Sequence, residues 1–148
     1  MKKITNKQKA LDAILWIDRL ATTKAKQQDG RLGDSEKGYC CLGYGCQVLD
    51  VPFESEDSYS EEFQQRIGLL SSFGSFHVPH DNPKGRIMKN INVPIVEDGD
   101  RDEQSISSLA DLNDDTKYSF RKISTIIKKY PEKLFEPKVA SKIKKHYS

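Results

Sequence analysis

Three cysteines are the side chains of this sequence best suited to covalent chemistry: Cys40, Cys41 and Cys46. A nucleophilic thiol needs a pKa lowered by a helix N-terminus or a cation, and a base to take its proton. Lys37 and a predicted helix start lie beside the first two, but the spacing selects no base among the histidines: His77, His80 and His146. Because free cysteine is among the most buried residue types, we expect core packing and keep a cysteine-dependent enzyme as an alternative.

The same cysteines and two of the histidines are also potential zinc ligands. Structural zinc sites use pairs of ligands at short gaps, such as C-x2–4-C. Cys41 and Cys46 lie five positions apart, and His77 forms a single pair with His80, with Asp81 beside it. Histidines that cap turns in an irregular loop explain this pattern better than a metal site does. We therefore predict no metal and no other cofactor.

A second group of residues suits the binding of a ligand rather than its conversion. Phe73-Gly74-Ser75-Phe76 places a glycine turn between two aromatic rings, whose faces and backbone N–H groups can hold a base and its phosphate. Asn113-Asp114-Asp115 resembles part of a calcium loop without its closing glutamate, so we expect these side chains to bond the local turn. The candidate ligand-binding residues are Lys37, Tyr39, Phe73, Gly74, Phe76, Asn113, Asp114 and Arg121.

Length and composition predict a single domain over residues 1–148. The sequence is 36% hydrophobic and 31% charged, which suffices for one core beneath a heavily solvated surface. No stretch approaches the ~20 apolar residues of a membrane span, and the basic N-terminus is followed by no apolar leader region. We therefore predict a cytoplasmic protein with reduced thiols and no membrane association.

The formal charge of +2 conceals a strong asymmetry along the chain. Residues 116–148 contain ten basic and two acidic residues, whereas acidic residues gather at 50–62 and 97–103. A positive end of this kind can steer an anionic ligand, although lysines also simply solvate the outer faces of helices. Two short predicted helices, 109–114 and 120–129, surround a turn, so a helix-turn-helix that binds DNA is a further alternative.

Hydrophobic periodicity predicts helices over most of the chain. They cover residues 7–22 with Asn6 as N-cap, residues 40–50, a segment from Ser60 through Leu70, residues 106–112, a helix capped by Ser119, a turn from Pro131, and residues 138–148, either docked or frayed. In the first helix we expect an apolar stripe of Ala10, Ile14, Ile17 and Ala21, widened by Leu11 and Leu15 and flanked by Trp16 and Leu20. The helix of residues 40–50 contains Gly43 and Gly45, which predict close approach of another element.

Strand signals are confined to residues 86–96, where Pro94 indicates an edge position. We expect a short hairpin or edge strands there, a mobile loop over residues 24–37, and a polar loop over residues 97–103. The predicted fold class is therefore α+β, mainly helical, in one compact domain.

Two segments resemble the signatures of a small protein family common in tailed-phage genomes. Residues 37–43 (Lys-Gly-Tyr-Cys-Cys-Leu-Gly) resemble its YCCLG motif, and residues 109–114 (Leu-Ala-Asp-Leu-Asn-Asp) with Ser119-Phe120 resemble its second motif. Residues 67–74 resemble the connector, so the resemblance spans residues 11–135 in order. Tyr44-Gly45 and the lysine-rich tail beyond Phe135 depart from the pattern. The resemblance implies a phage or prophage origin and a location in the host cytoplasm, but no reaction.

The absence of a complete catalytic motif favours a binding protein over an enzyme. The leading hypothesis is a phage protein that sequesters an anionic signalling nucleotide of a host defence system. Its expected partner is that nucleotide or a host protein, and self-association is left open. The alternatives are nucleic-acid binding through the basic C-terminal helices and a cysteine-dependent enzyme.

Overall fold

The computed structural model describes residues 3–78, 87–97 and 100–148. Within these ranges the chain forms seven helices and two antiparallel sheets of two strands each, which confirms the mainly helical α+β class. In chain order the elements are α1 (Asn6–Thr22), β1 (Gly33–Asp34), β2 (Gly38–Tyr39), α2 (Cys41–Val48), α3 (Glu61–Ile67), β3 (Ile91–Glu97), β4 (Asp100–Ile106), α4 (Leu109–Asp115), α5 (Phe120–Lys129), α6 (Pro131–Leu134) and α7 (Pro137–His146). None of the helices in these ranges combines the length and apolar composition that a membrane span requires.

Helix α1 lies at the centre of the helical part and packs against α2, α3, α5 and α7. Its N-cap is Thr5, one residue before the predicted cap, and the Thr5 hydroxyl accepts the backbone N–H of Gln8. The predicted apolar stripe is partly wrong, because Leu11 is 51% exposed and Leu15 39% exposed, whereas Trp16 is fully buried. The Trp16 indole donates to the carbonyl of Cys41 at 3.0 Å, so the bulky ring anchored on α2 decides which face is covered.

Helix α2 is the predicted buried helix, and its glycines serve close packing as expected. Cys40 is its N-cap, and the thiol accepts the N–H of Gly43. A Cβ on Gly43 would lie 1.9 Å from the carbonyl oxygen of Leu32, and one on Gly45 would lie 2.3 Å from the Phe63 ring. Neither separation is compatible with a side chain, so glycine is required at Gly43 by the backbone of Leu32 and at Gly45 by the ring of Phe63.

The segment predicted as a loop, residues 24–37, instead contains a paired strand. β1 pairs antiparallel with β2, and Gln27 forms a further bridge to Tyr39. Gly33 and Gly38 adopt φ of +97° and +105°, which glycine allows at no steric cost. The first strand of this hairpin therefore lies within the predicted loop, and the second strand follows directly after it.

The second sheet confirms the strand prediction and corrects the loop that followed it. β3 pairs with β4 in register from Ile91 opposite Ile106 to Glu97 opposite Asp100. The polar loop predicted over residues 97–103 is wrong, because β4 begins at Asp100. Ile106, predicted to begin a helix, ends this strand. A two-stranded sheet leaves one face in solvent, so a polar strand is tolerated, and Pro94 lies on an edge as expected.

The C-terminal helices form as predicted, and the last one is docked rather than frayed. Ser119 caps α5 by accepting the N–H of Lys122, and Pro131 begins α6. Helix α7 buries Val139, Ala140 and Ile143 and packs against α1. Near its start Glu136 pairs with Lys9 at 2.8 Å, and at its end the Tyr147 hydroxyl bonds Asp18 at 2.6 Å. These two contacts show that α7 runs parallel to α1.

Candidate ligand-binding groove

The Asn113 side chain joins residues 37–43 to residues 109–114, which we call the two signature segments after the motifs that they resemble. It is 1% exposed near the end of α4. Its Oδ1 accepts the backbone N–H of Cys41 at 3.2 Å and the amide of Gln27 at 2.8 Å. Its Nδ2 donates to the carbonyl of Gln28 at 2.8 Å and to Asp114 at 3.0 Å. The local turn capping predicted for Asn113 is therefore wrong, since its main partners lie in another part of the chain.

A groove of about 330 Å³ opens beside this junction. Its lining comes from residues far apart in the chain: Gly30, Arg31, Cys40, Ser58, Phe73, Ser75, Met88, Ser107, Ser108, Ala110, Asp111 and Asp114. Asp114 also accepts the backbone N–H of Gly30 at 2.9 Å, which fixes one wall of the groove to the end of α4. Both signature segments thus contribute to a single concave surface.

Exposed apolar side chains concentrate around this groove. The rings of Phe73 and Tyr59 pack at 4.8 Å between centroids, and the two side chains are 40% and 42% exposed. Met88 in the lining is 69% exposed, and the neighbouring Ile87 is bonded through its carbonyl to the N–H of Val78. Among the described residues, five of the seven large exposed apolar side chains therefore lie in the groove or beside it. Exposed apolar patches of this kind mark interaction sites.

The charges of the groove are mainly negative. Asp111 and Asp114 face one cation in the lining, Arg31, which pairs with Glu56 at 2.6 Å. Desolvation, and then the carboxylates of Asp114 and Asp115, raise the pKa of the nearby Asp29. Electrostatics at this surface therefore oppose a ligand with several negative charges and favour one that donates hydrogen bonds.

The three cysteines lie in an environment that suppresses the reactivity of a thiol. All three thiols are free and buried. Burial raises the pKa of Cys40 to about 11 and that of Cys46 to about 12, and it also raises the pKa of Cys41. Since a reactive cysteine needs a lowered pKa and access to substrate, the arrangement disfavours the cysteine-dependent enzyme. Cys40 contributes a wall of the groove and a helix cap.

No metal cluster is formed by histidine, cysteine or acidic side chains in the ranges that the structure describes. His77 is buried, with Nδ1 3.0 Å from the carbonyl oxygen of Ser75. His80 and Asp81, the other members of the weighed metal site, lie outside the described residues.

The predicted site residues are brought together only in part. Phe73 and Asp114 line the groove. Gly74 lies against Leu109, and Asn113 bonds Cys41, so both contact neighbours of lining residues. The other four lie elsewhere: Phe76 is fully buried in the core, Tyr39 is buried against Tyr44 and Phe53, Lys37 lies in the β1–β2 turn, and Arg121 is exposed on α5.

Several residues that line the groove were not among the ligand-binding residues predicted from the sequence. Arg31 and Met88 have no local signal, since only the fold brings them to the groove. Ser108 and Asp111 did have one, because a serine followed three positions later by an acid marks a helix start. Ser108 indeed caps α4 by accepting the N–H of Asp111 at 3.1 Å.

Comparison of the chain with family models, with curated proteins and with solved structures finds no match. The resemblance to a tailed-phage family therefore stays a prediction that rests on its motifs.

Proposed function

We propose that the protein is a binding protein that holds a small, weakly charged nucleoside or nucleotide in the groove between Cys40, Phe73 and Asp114. The observation that carries this proposal is the meeting of both signature segments at one groove whose rim presents an exposed aromatic pair. Folded proteins place apolar rings in water at a concave surface mainly where a ligand or partner covers them.

The lining supplies each contact that a nucleoside requires. The exposed face of Phe73 can stack on a base, an interaction worth about 1–3 kcal/mol. Asp111 and Asp114 can accept hydrogen bonds from ribose hydroxyls or base amino groups, as carboxylates commonly do in nucleotide sites. A volume of about 330 Å³ lies at the lower end of the range for small-molecule sites.

The charge of the lining restricts how many phosphates the ligand carries. Arg31 is the cation of the groove and already shares its charge with Glu56. Two carboxylates and one shared guanidinium support one phosphate at the rim and oppose a polyphosphate chain. The proposal thus replaces the anionic nucleotide expected from the sequence with a nucleoside or a nucleoside monophosphate.

Sequestration is the action that such a site supports. With the three thiols buried and protonated, the groove offers its ligand no reactive thiolate. The role in countering host defence, in the host cytoplasm, is proposed from the resemblance to phage proteins. A sequestering protein lowers the free concentration of its ligand and returns it chemically intact on denaturation.

The proposal is tested by thermal unfolding in the presence of adenosine, adenosine monophosphate and adenosine triphosphate, with the guanosine series in parallel. Ligand at 100 times Kd stabilises by about 2.7 kcal/mol, which raises Tm by roughly 5–10 °C in a chain of this length. We expect the nucleoside and the monophosphate to stabilise more than the triphosphate. No shift with any of them at saturation would remove the proposal.

Two exposed positions make matched variants for this test. Phe73→Ala should abolish most of the shift, because it removes the stacking ring. Leu15→Ala removes an equally exposed apolar side chain on α1 and should leave the shift unchanged. Equal loss in both variants would contradict binding at the groove.

A further inference from the structure

The surface formed by α5, α6 and α7 carries a concentrated positive charge. Residues 119–148 contain nine lysine and arginine residues and two glutamates. Both glutamates are already paired, Glu132 with Lys144 at 4.0 Å and Glu136 with Lys9 at 2.8 Å. The remaining cations of these helices are exposed, apart from the half-buried Lys133, and both glutamates of these helices are paired with other lysines.

Tyrosine rings link the cations at the ends of these helices. The Nζ of Lys128 lies 5.0 Å from the centroid of Tyr147, which connects the end of α5 to the end of α7. The Nζ atoms of Lys129 and Lys133 lie 5.4 Å and 5.6 Å from the centroid of Tyr130, which connects α5 to α6. The three helices thus present their lysines on adjoining surface.

Helix α7 adds a stripe of lysines to this surface. Positions separated by four and three residues fall on one side of a helix, and they are exposed lysines here: Lys138, Lys142 and Lys145. The opposite side of α7 packs on α1 through Val139, Ala140 and Ile143. We call the combined surface of Lys128, Lys129, Lys133, Lys138, Lys142 and Lys145 the basic face.

We propose that the basic face binds the phosphate backbone of nucleic acid without reading its sequence. Lysine binds phosphate as a compact point charge, whereas two-point recognition of a base edge suits the planar side chains of Arg, Asn and Gln best. Helices α5, α6 and α7 contain one arginine, Arg121, and no asparagine or glutamine. The contacts available are therefore those that position a duplex rather than those that specify its sequence.

The composition of the basic face favours nucleic acid over a membrane surface. A helix that lies in a membrane interface inserts large apolar side chains beside its lysines. Residues 116–148 are all described, and none of them is a large exposed apolar side chain. The basic face could attract anionic lipid, but it offers no apolar side chain that would insert into the membrane and hold the protein on it.

The basic face also differs from the helix-turn-helix surface expected from the sequence. In that geometry the start of α5 would enter the groove of DNA beside α4. Helix α4 carries Asp111, Asp114 and Asp115, whose charges would lie near the phosphates. The excess of lysines lies instead at the far end of α5 and on α7, where the carboxylates of Glu132 and Glu136 are already paired. This inference is independent of the proposed ligand.

Fluorescence anisotropy with a short DNA duplex of mixed sequence tests the inference. Six phosphate contacts predict a slope of log K against log salt of about −5, so affinity should fall about 10³-fold between about 50 and about 200 mM salt. A duplex of unrelated sequence should bind equally well. Absence of binding at the lower salt concentration, or a flat salt response, overturns the inference.

Two double variants of equal charge change separate the basic face from net charge. Lys142→Gln with Lys145→Gln should reduce the salt slope by about 2. Lys24→Gln with Lys37→Gln removes the same charge from exposed positions outside the basic face and should leave the slope unchanged. Circular dichroism establishes that both fold. Equal weakening by the two pairs, or tighter binding to phosphatidylserine vesicles than to the duplex, overturns the proposal.

Discussion

Replacing Asn113 by alanine tests whether the two signature segments depend on this side chain. The substitution removes four hydrogen bonds, but their loss is unequal. Gln27 retains its bond to the carbonyl of Tyr118, and Asp114 retains the N–H of Gly30. The N–H of the fully buried Cys41 loses its acceptor, at a cost of about 2 kcal/mol, and the half-buried carbonyl of Gln28 adds about 1 kcal/mol. We expect Asn113→Ala to lower stability by about 3 kcal/mol.

The measurement is urea unfolding followed by the fluorescence of Trp16, which is the single tryptophan and is fully buried. A loss of about 3 kcal/mol corresponds to roughly 6–12 °C in Tm for a chain of this length. Ser124→Ala is the control, because it removes one buried bond, to the carbonyl of Ile17, and should cost about 1 kcal/mol. If Asn113→Ala costs no more than Ser124→Ala, the reasoning is refuted.

Asn113→Asp separates the hydrogen bonds from the volume of the side chain. The new carboxylate keeps the acceptor for Cys41 but turns an oxygen toward the carbonyl of Gln28 and the charge of Asp114. It should therefore destabilise as much as alanine at neutral pH and less in mild acid, where a protonated carboxyl can donate again. Equal loss at both pH values would indicate that packing dominates.

Three further outcomes follow from the packing around α2. Gly43→Ala should prevent native folding, seen as loss of cooperative urea unfolding, because its Cβ would lie 1.9 Å from the carbonyl oxygen of Leu32. Native thiols should react with iodoacetamide far more slowly than thiols unfolded in urea, as followed by mass spectrometry; rapid native labelling of Cys40 would contradict its burial. Stability should fall above pH 9.0, because the pKa of Cys40 rises from 9.0 to about 11 on folding, so unfolding releases a proton in this window. One thiol contributes about 1.4 kcal/mol per pH unit there, and Cys40→Ser, which keeps a capping oxygen, should lose that share of the slope in pH-dependent urea titrations.

Helices were predictable where their signals are local. Ser60 and Ser119 cap α3 and α5, and Pro131 opens α6, because capping and proline geometry depend on a few neighbouring residues. The buried face of α1 was not predictable in the same way. Its Leu11 and Leu15 are as apolar as the residues inside, and the positions of α2, α3, α5 and α7 decide which side is covered.

Strand β4 was missed because its sequence is polar. Residues 100–106 contain Ile106 as their sole apolar residue, so alternation gave no strand signal. The sequence does place Asp98-Gly99 directly before these residues. An Asp-Gly pair favours a two-residue hairpin turn, and this signal could have predicted a strand that pairs with β3.

The sequence predicted some of the residues of the candidate groove, but not which of them the fold brings together. The two motifs were recognised in the sequence, yet Cys41 and Asn113 lie 72 positions apart and their contact is a property of the fold. Phe73 and Phe76 gave identical signals as aromatic neighbours of a glycine turn, and the structure leaves Phe73 on the rim and buries Phe76 completely. Exposure, which decides between a ligand contact and a core residue, requires knowledge of what packs on each side.

An amide ¹H–¹⁵N correlation titration with adenosine monophosphate tests binding at the groove most directly. The account predicts saturable shifts at residues that line the groove, with Phe73, Ser75, Asp111 and Asp114 among them, and unchanged positions along α7. Shifts confined to the basic face would show phosphate attraction without a groove site. That result, or an unchanged spectrum at millimolar nucleotide, would contradict the account.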